Sequence, residues 1–240
     1  MTKHILQATV GSTAYGLSTS TSDVDYMGIV VPPIDYYIGI KTFGWGSGTK
    51  VEKKENEEYT FYELKKFISL AIGFNPNVIP LLFLKEEFYN IITPEGKMLL
   101  DCRDAFLSKN AIKTLLGYAG GQKDRIFHEN TGKLGEKRKQ LVEKFGYDTK
   151  YAMHTLRILN MAKEFFETGK LNVFRENEAE RKFLISVKEG KYSLEEWFRF
   201  YFDTLDTVHA ASAYANLPEE PDYEKINEIC MNIIFSCTNK

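Results

Sequence analysis

Two carboxylates two residues apart, Asp23 and Asp25, follow a Gly-Ser pair, Gly11-Ser12, after ten intervening residues. On a strand, residues i and i+2 point to the same face, so Asp23 and Asp25 would stand side by side. Adjacent carboxylates repel unless a cation neutralises them. Hard oxygen donors at that spacing suit Mg²⁺, or Mn²⁺ in its place, bridging carboxylates and substrate phosphates. Gly11, lacking a side chain, allows a sharp turn and close approach to a phosphate. Ser12 and the amides after it would donate to phosphate oxygens, as would the Ser22 hydroxyl just ahead of the carboxylates. A lone Asp-x-Asp or Gly-Ser is common. Strand, Gly-Ser, spacer and an Asp-x-Asp opening a second strand form a far more specific combination. Tyr15, in the loop between the two parts, is the aromatic singled out to stack on a base.

A second group lies far along the chain. Lys150, His154 and Arg157 occur at i, i+4 and i+7 and would form one stripe on a helix. The stripe borders an apolar arc with Tyr151, Ile158, Ala162 and Phe165, and Asn160, Lys163 and Glu167 would be on the solvated side. Such a stripe suits a triphosphate or a leaving pyrophosphate. Asp148 would cap the same helix. From residue 121 to 170 basic side chains outnumber acidic ones, and Lys123, Arg125 and residues 137–139 would extend a track for an acceptor strand.

The elements that must position these groups change in kind along the chain. Residues 5–10 read as a strand ending in a turn, and 23–31 (DVDYMGIVV) as a second strand stopped by Pro32-Pro33. A short third strand is expected at 36–40, a flexible turn at 44–48 and a further strand at 57–62. A helix follows through Leu64, Phe67, Ile68 and Ala71, broken at Asn75-Pro76-Asn77, with an apolar segment at 78–84. Beyond about residue 95 helical periodicity takes over, at 98–106, 111–127, 134–145, 149–168, 178–189, 193–215 and 221–235. The expected architecture is an α/β unit over 1–95 and an all-α unit over 96–240, with the active site between them as the ordinary arrangement.

Composition narrows the partners. With 27% charged residues and a formal net charge of −2, any site for a polyanion must be a local patch. No stretch is apolar enough to span a membrane, so no membrane partner is expected. Three cysteines, Cys102, Cys230 and Cys237, lack the short spacings of zinc sites. With no signal-peptide pattern, they read as reduced thiols in a cytoplasmic setting.

The stretch GSTAYGLSTSTSDVDYMG resembles the nucleotidyltransferase signature of the DNA polymerase β superfamily. More narrowly it is similar to the RNA-repair-associated polymerase-like branch (RlaP), whose pattern runs Gly-Ser, Tyr-Gly, then Ser-Asp-x-Asp and Gly. LKKFISLAIGFNPNVIPLLF and GYDTKYAMHTLRILNMAKEFFETGKL resemble two further blocks of that branch, the second carrying Lys150, His154 and Arg157. A departure occurs at Pro80, where the branch often has an acidic residue. The resemblance implies an α+β nucleotidyltransferase-like domain with a small mixed sheet, followed by a helical domain completing the cleft for NTP and acceptor. It also implies a third carboxylate on a later strand. Glu57 and Glu58 are the candidates, and alternation puts them on opposite faces. The position six residues before Leu64 selects Glu58, beside Asp23 and Asp25 as catalytic and metal-holding residues. The implied activity moves a nucleotide from an NTP, with Mg²⁺ or Mn²⁺, to an acceptor hydroxyl, foremost an RNA end such as that of a tRNA. A protein hydroxyl, a small molecule, or a catalytically inactive nucleotide- or RNA-binding module are the alternatives. The oligomeric state is left open.

Overall fold

Strand β2 (Val24–Val31) lies at the centre of a five-stranded sheet, because every residue from Met27 to Val31 is buried and neither face can be left to water. Its neighbours are β1 (Lys3–Thr9), antiparallel, and β4 (Glu57–Glu63), parallel. The edges are β3 (Thr49–Lys54) and β5 (Tyr89–Ile92), giving the order β3-β4-β2-β1-β5 in a mixed sheet. The computed structural model describes residues 2–20, 22–126 and 136–238, the side chains of 136–138 and 238 excepted.

Between the strands lie α1 (Gly11–Ala14) and α2 (Asp35–Ile38), each a single turn, and α3 (Leu64–Ile72), and α4 (Pro94–Asp101) follows β5. Helix α3 starts where the Glu63 side chain accepts from the amides of Lys65 and Lys66 and buries Leu64, Phe67, Ile68 and Ala71. The apolar segment after Asn75-Pro76-Asn77 is a 3₁₀ turn over Ile79–Phe83, with Pro80 buried in it. The core of this unit includes Leu6, Ile29, Leu64, Phe67, Leu82 and Leu99, each at most 1% exposed. Burying one such side chain contributes about 1.5–3 kcal/mol.

Three local expectations change. Residues 36–40 are not a strand: the Pro33 carbonyl accepts from the Tyr36 amide and Ile34 from Ile38, which closes α2 as a helical turn. Strand β3 carries three lysines and Glu52 around the single apolar Val51, as suits a sheet edge, and so lacks the apolar pattern of a strand. Strand β5 has only four residues.

The chain forms two compact units, one from Met1–Ser108 together with Pro218–Lys240, the other from Lys109–Leu217. These differ from a division at 95/96. Helix α4 and the 3₁₀ turn after it stay with the sheet, and the last helix returns to it. The second unit comprises α5 (Ala111–Arg125), α6 (Glu136–Phe145), α7 (Thr149–Thr168), α8 (Glu178–Lys188) and α9 (Leu194–Ala213). Its axis is α7, buried on most sides, with the Trp197 indole donating to the Ala152 carbonyl at 3.1 Å. Asp148 caps α7 by accepting from the amides of Lys150 and Tyr151. Expected helical positions 127, 134 and 135 lie outside the described residues. Among the described residues no helix is long and apolar enough to cross a membrane.

Helix α10 (Tyr223–Thr238) is fastened to the sheet unit by a buried glutamate. Glu95, at the start of α4 and 1% exposed, accepts from Lys3 Nζ of β1 at 2.7 Å and from Ser236 Oγ of α10 at 2.9 Å. The Lys3 ammonium, outweighing the effect of burial, draws its carboxyl down to about 2. A depressed carboxylate stabilises the fold above its unfolded pKa and stops doing so as pH falls through the folded one. Glu95→Gln is therefore expected to lower stability by about 2 kcal/mol at pH 7, the scale of hydrogen bonds to a charged group. Its deficit relative to the parent should shrink as pH falls from 4.5 towards 2. Urea denaturation across that range checks it, and a pH-independent deficit would refute the account.

Candidate active site

Strand β1 hands the chain to β2 through a turn built against one carboxylate. The Val10 amide donates to the Asp25 carbonyl at 2.7 Å, and Gly11 then takes φ +63°, the left-handed region open to glycine. A Cβ on Gly11 would overlap Asp25 Oδ2 outright and lie 2.8 Å from its Cγ. The glycine is thus required twice, by its backbone angle and by the carboxylate lying on it. Helix α1 follows at once, and the Ser12 carbonyl accepts from the Leu17 amide, folding the loop back on itself.

The second carboxylate comes from the parallel neighbour. Register pairs Asp25 with Glu58 and Val24 with Glu57. In-register neighbours share a face and lie about 4.8 Å apart, so Glu58 stands beside Asp25. Glu57 is on the opposite face, where its Oε2 accepts from the Tyr59 hydroxyl at 2.8 Å. Tyr59 stacks on Tyr26 on that face, ring centroids 4.6 Å apart. Asp23 lies one residue before β2 and is exposed. The Val24 amide donates to the Asn56 carbonyl, which ties the start of β2 to the β3–β4 turn.

A cation completes the row. Lys53 of β3 pairs in register with Glu58, and its Nζ lies 2.6 Å from Glu58 Oε2. The bond to Glu58, then the charges of Glu58, Asp25 and Asp23, hold its ammonium above the ordinary lysine value. Lys53 was not among the residues singled out from the sequence. The signal for it was the two-residue turn Glu55-Asn56, which closes a hairpin and sets Lys53 opposite Glu58.

The remaining expected residues fare differently. Ser22 is engaged in the turn before β2, its Oγ accepting from the Thr19 amide at 2.9 Å. Tyr15, expected to stack on a base, is 6% exposed and packs with the buried side chains, so little of it is open to a ligand in this structure. In the second unit Lys150 is exposed, His154 half-buried and Arg157 only 6% exposed. Arg157 is therefore a packed guanidinium rather than a solvent-facing one. The side of α7 expected to be solvated is partly packed, with Asn160 donating to Glu180 of α8 at 3.2 Å. Arg125 stacks over Tyr151, 5.9 Å to the ring centre. Burial and then the Lys150 charge lower the Lys188 pKa, and the Lys188 carbonyl accepts from Thr149 Oγ1 of α7 at 2.8 Å. Lys123 lies over the Tyr201 ring and 3.5 Å from Asp124. The side chains of residues 137 and 138 lie outside the described residues.

Among the described residues, no three His, Cys, Asp or Glu side chains converge as a ready-made cation cage. The donor set still fits Mg²⁺. That ion is usually held by one or two carboxylates, with waters and substrate phosphates completing its shell. Asp25 and Glu58, adjacent beside a glycine turn and with Asp23 two residues upstream, supply such a partial shell.

A mixed sheet with a Gly-Ser turn seated on a strand-borne aspartate is what the resemblance to the polymerase β superfamily implies. The chain belongs to RlaP, the RNA repair pathway DNA polymerase beta family, whose model matches residues 2–232. It is also 32% identical over 127 residues to an uncharacterized 38.9 kDa protein of the nrdC-mobD intergenic region of Enterobacteria phage T4. That match covers 50% of this chain but only 38% of the phage protein.

The overlap at Gly11 is specific enough to measure. Gly11→Ala is expected to destabilise by about 1–3 kcal/mol, from a left-handed alanine and a displaced carboxylate. In an Asp25→Ala background the cost should fall, giving a coupling of at least about 0.5 kcal/mol. Strict additivity in denaturant unfolding would mean that Asp25 does not lie on Gly11.

Proposed function

We propose that this protein is a metal-dependent nucleotidyltransferase that moves NMP from an NTP to an acceptor hydroxyl, foremost at the end of an RNA. The observation that carries this reading is the in-register pairing of Asp25 with Glu58 beside the Gly11 turn. Membership of an RNA repair family with polymerase β character supports it and favours RNA as the acceptor.

In the proposed reaction the acceptor oxygen attacks the α-phosphorus of the NTP. The bond from that phosphorus to the bridging oxygen breaks, and pyrophosphate leaves with the bond's electron pair. Asp23, Asp25 and Glu58 would hold Mg²⁺ or Mn²⁺, which when bound offsets phosphate charge and lowers the pKa of the attacking hydroxyl. Glu58, on the rim of the pair, takes up the hydroxyl proton. The Gly11 turn and the Ser12 hydroxyl receive phosphate oxygens, with Ser22 shaping the loop beside them. Catalysis then consists mainly of positioning and charge compensation. Lys150 and His154, the accessible members of the α7 stripe, stay in the proposal as ligands of phosphate groups. Arg157 shapes that helix from within.

The test incubates the protein with Mn²⁺ or Mg²⁺, each labelled NTP in turn, and RNAs with defined 3′ ends. Label is expected on RNA, and Asp25→Asn should lower the rate by about 10²–10³-fold, as for loss of a main electrostatic contact at a reacting phosphate. Unchanged circular dichroism would show that the variant folds. Full activity in folded Asp25→Asn would overturn the proposal, and label on protein instead would replace RNA as the acceptor.

A further inference from the structure

Lys53 is unusual among the charged residues of its hairpin. Neighbouring lysines in β3 alternate faces, and Lys54 goes to the tyrosine side, 5.1 Å from the Tyr59 ring centre. Lys53 goes to the carboxylate side, where its Nζ meets Glu58 at 2.6 Å, and Glu58 pairs in register with Asp25. Its side chain is 74% exposed, on an edge strand with a two-residue turn beside it. It can therefore swing away from Glu58 without disturbing the sheet.

A divalent cation entering beside Asp25 and Glu58 must compete with this ammonium for the same oxygens. We propose that Lys53 is the resident counter-cation of the carboxylate pair: a divalent ion displaces it from Glu58, and it then turns to the phosphate oxygens of the bound nucleotide. The inference rests on the metal-binding reading above and deepens it. Before the ion arrives, Lys53 offsets the repulsion between Asp25 and Glu58. After it arrives, the same charge serves the triphosphate. Lysine suits this exchange, because its ammonium is a compact charge on a flexible stem rather than a fixed planar fork.

The two halves of the exchange predict effects of opposite sign. Lys53→Met should bind Mn²⁺ about two- to five-fold more tightly in the absence of nucleotide, the range of an exposed ion pair. At saturating Mn²⁺ it should bind a non-hydrolysable NTP analogue about two- to five-fold more weakly. Lys53→Arg, which keeps the charge, should restore most of the nucleotide affinity. Calorimetric titration of the full chain reads both constants, with Asp25→Asn as the control that loses Mn²⁺. If Lys53→Met leaves both affinities unmoved, or shifts both in one direction, Lys53 is an ordinary surface ion pair. The inference then fails while the metal reading stands. If the parent protein takes up no Mn²⁺ with or without nucleotide, both fall together.

Discussion

The in-register pairing of two like charges, Asp25 and Glu58, is the constraint around which this sheet is organised. Two unit charges at the spacing of neighbouring strands oppose each other by about 1 kcal/mol in water and several times that near a protein surface. A fold keeps such a pair only if other interactions fix the two strands. Here β2 and β4 are held in register over seven residue pairs, from Val24–Glu57 to Val30–Glu63. Three pairs along that ladder from Asp25–Glu58, Phe61 lies over Gly28, where a Cβ would come within 2.8 Å of its ring. The glycine lets the aromatic lie flat on the strand and lock the register that places Glu58.

Packing around the pair differs between the body of the sheet and its loop end. Below it, the helices and the 3₁₀ turn bury one face of the sheet, and Glu95 joins β1, α4 and α10 through one carboxylate. Within the sheet unit, the α1 turn, the loop before β2 and the tip of the β3–β4 hairpin adjoin it. A site that admits a triphosphate needs backbone amides and exposed side chains on that side. The packed elements supply the position, and the loops supply the contacts.

Much of this was legible in the sequence because chemistry and period coincide there. GSTAYGLSTSTSDVDYMG carries the turn, the spacer and the strand-borne acids in one continuous stretch, so local reading sufficed. The helices of the second unit were equally clear, α7 running Thr149–Thr168 as its 3.6-residue pattern required. What could not be read depends on partners remote in sequence. Strand β3 is charged because it is an edge, β5 is four residues long, and neither carries an apolar pattern of its own. Tyr15 looked available because loops usually are. It is buried because the Gly11 turn folds the loop inward, which composition alone does not reveal. Glu58 and Lys53 became neighbours only through a hairpin register, and register is a tertiary property.

The carboxylate row also explains why phosphate-binding turn and acidic strand occur together. Asp25 lies on Gly11, so the atoms that would hold a cation and the backbone that would receive a phosphate are in contact before any ligand arrives. Two adjacent carboxylates leave most of the coordination sphere of Mg²⁺ to water and phosphate oxygens. On the proposed reading, nucleotide supplies the donors that the protein lacks, and the cation offsets charge that the turn alone cannot. Each ligand then raises the affinity of the other by the same factor, as linkage requires. A bare cation cage would bind metal without nucleotide and gain nothing from Gly11. On that reading, the close packing of turn on carboxylate couples the uptake of the two ligands.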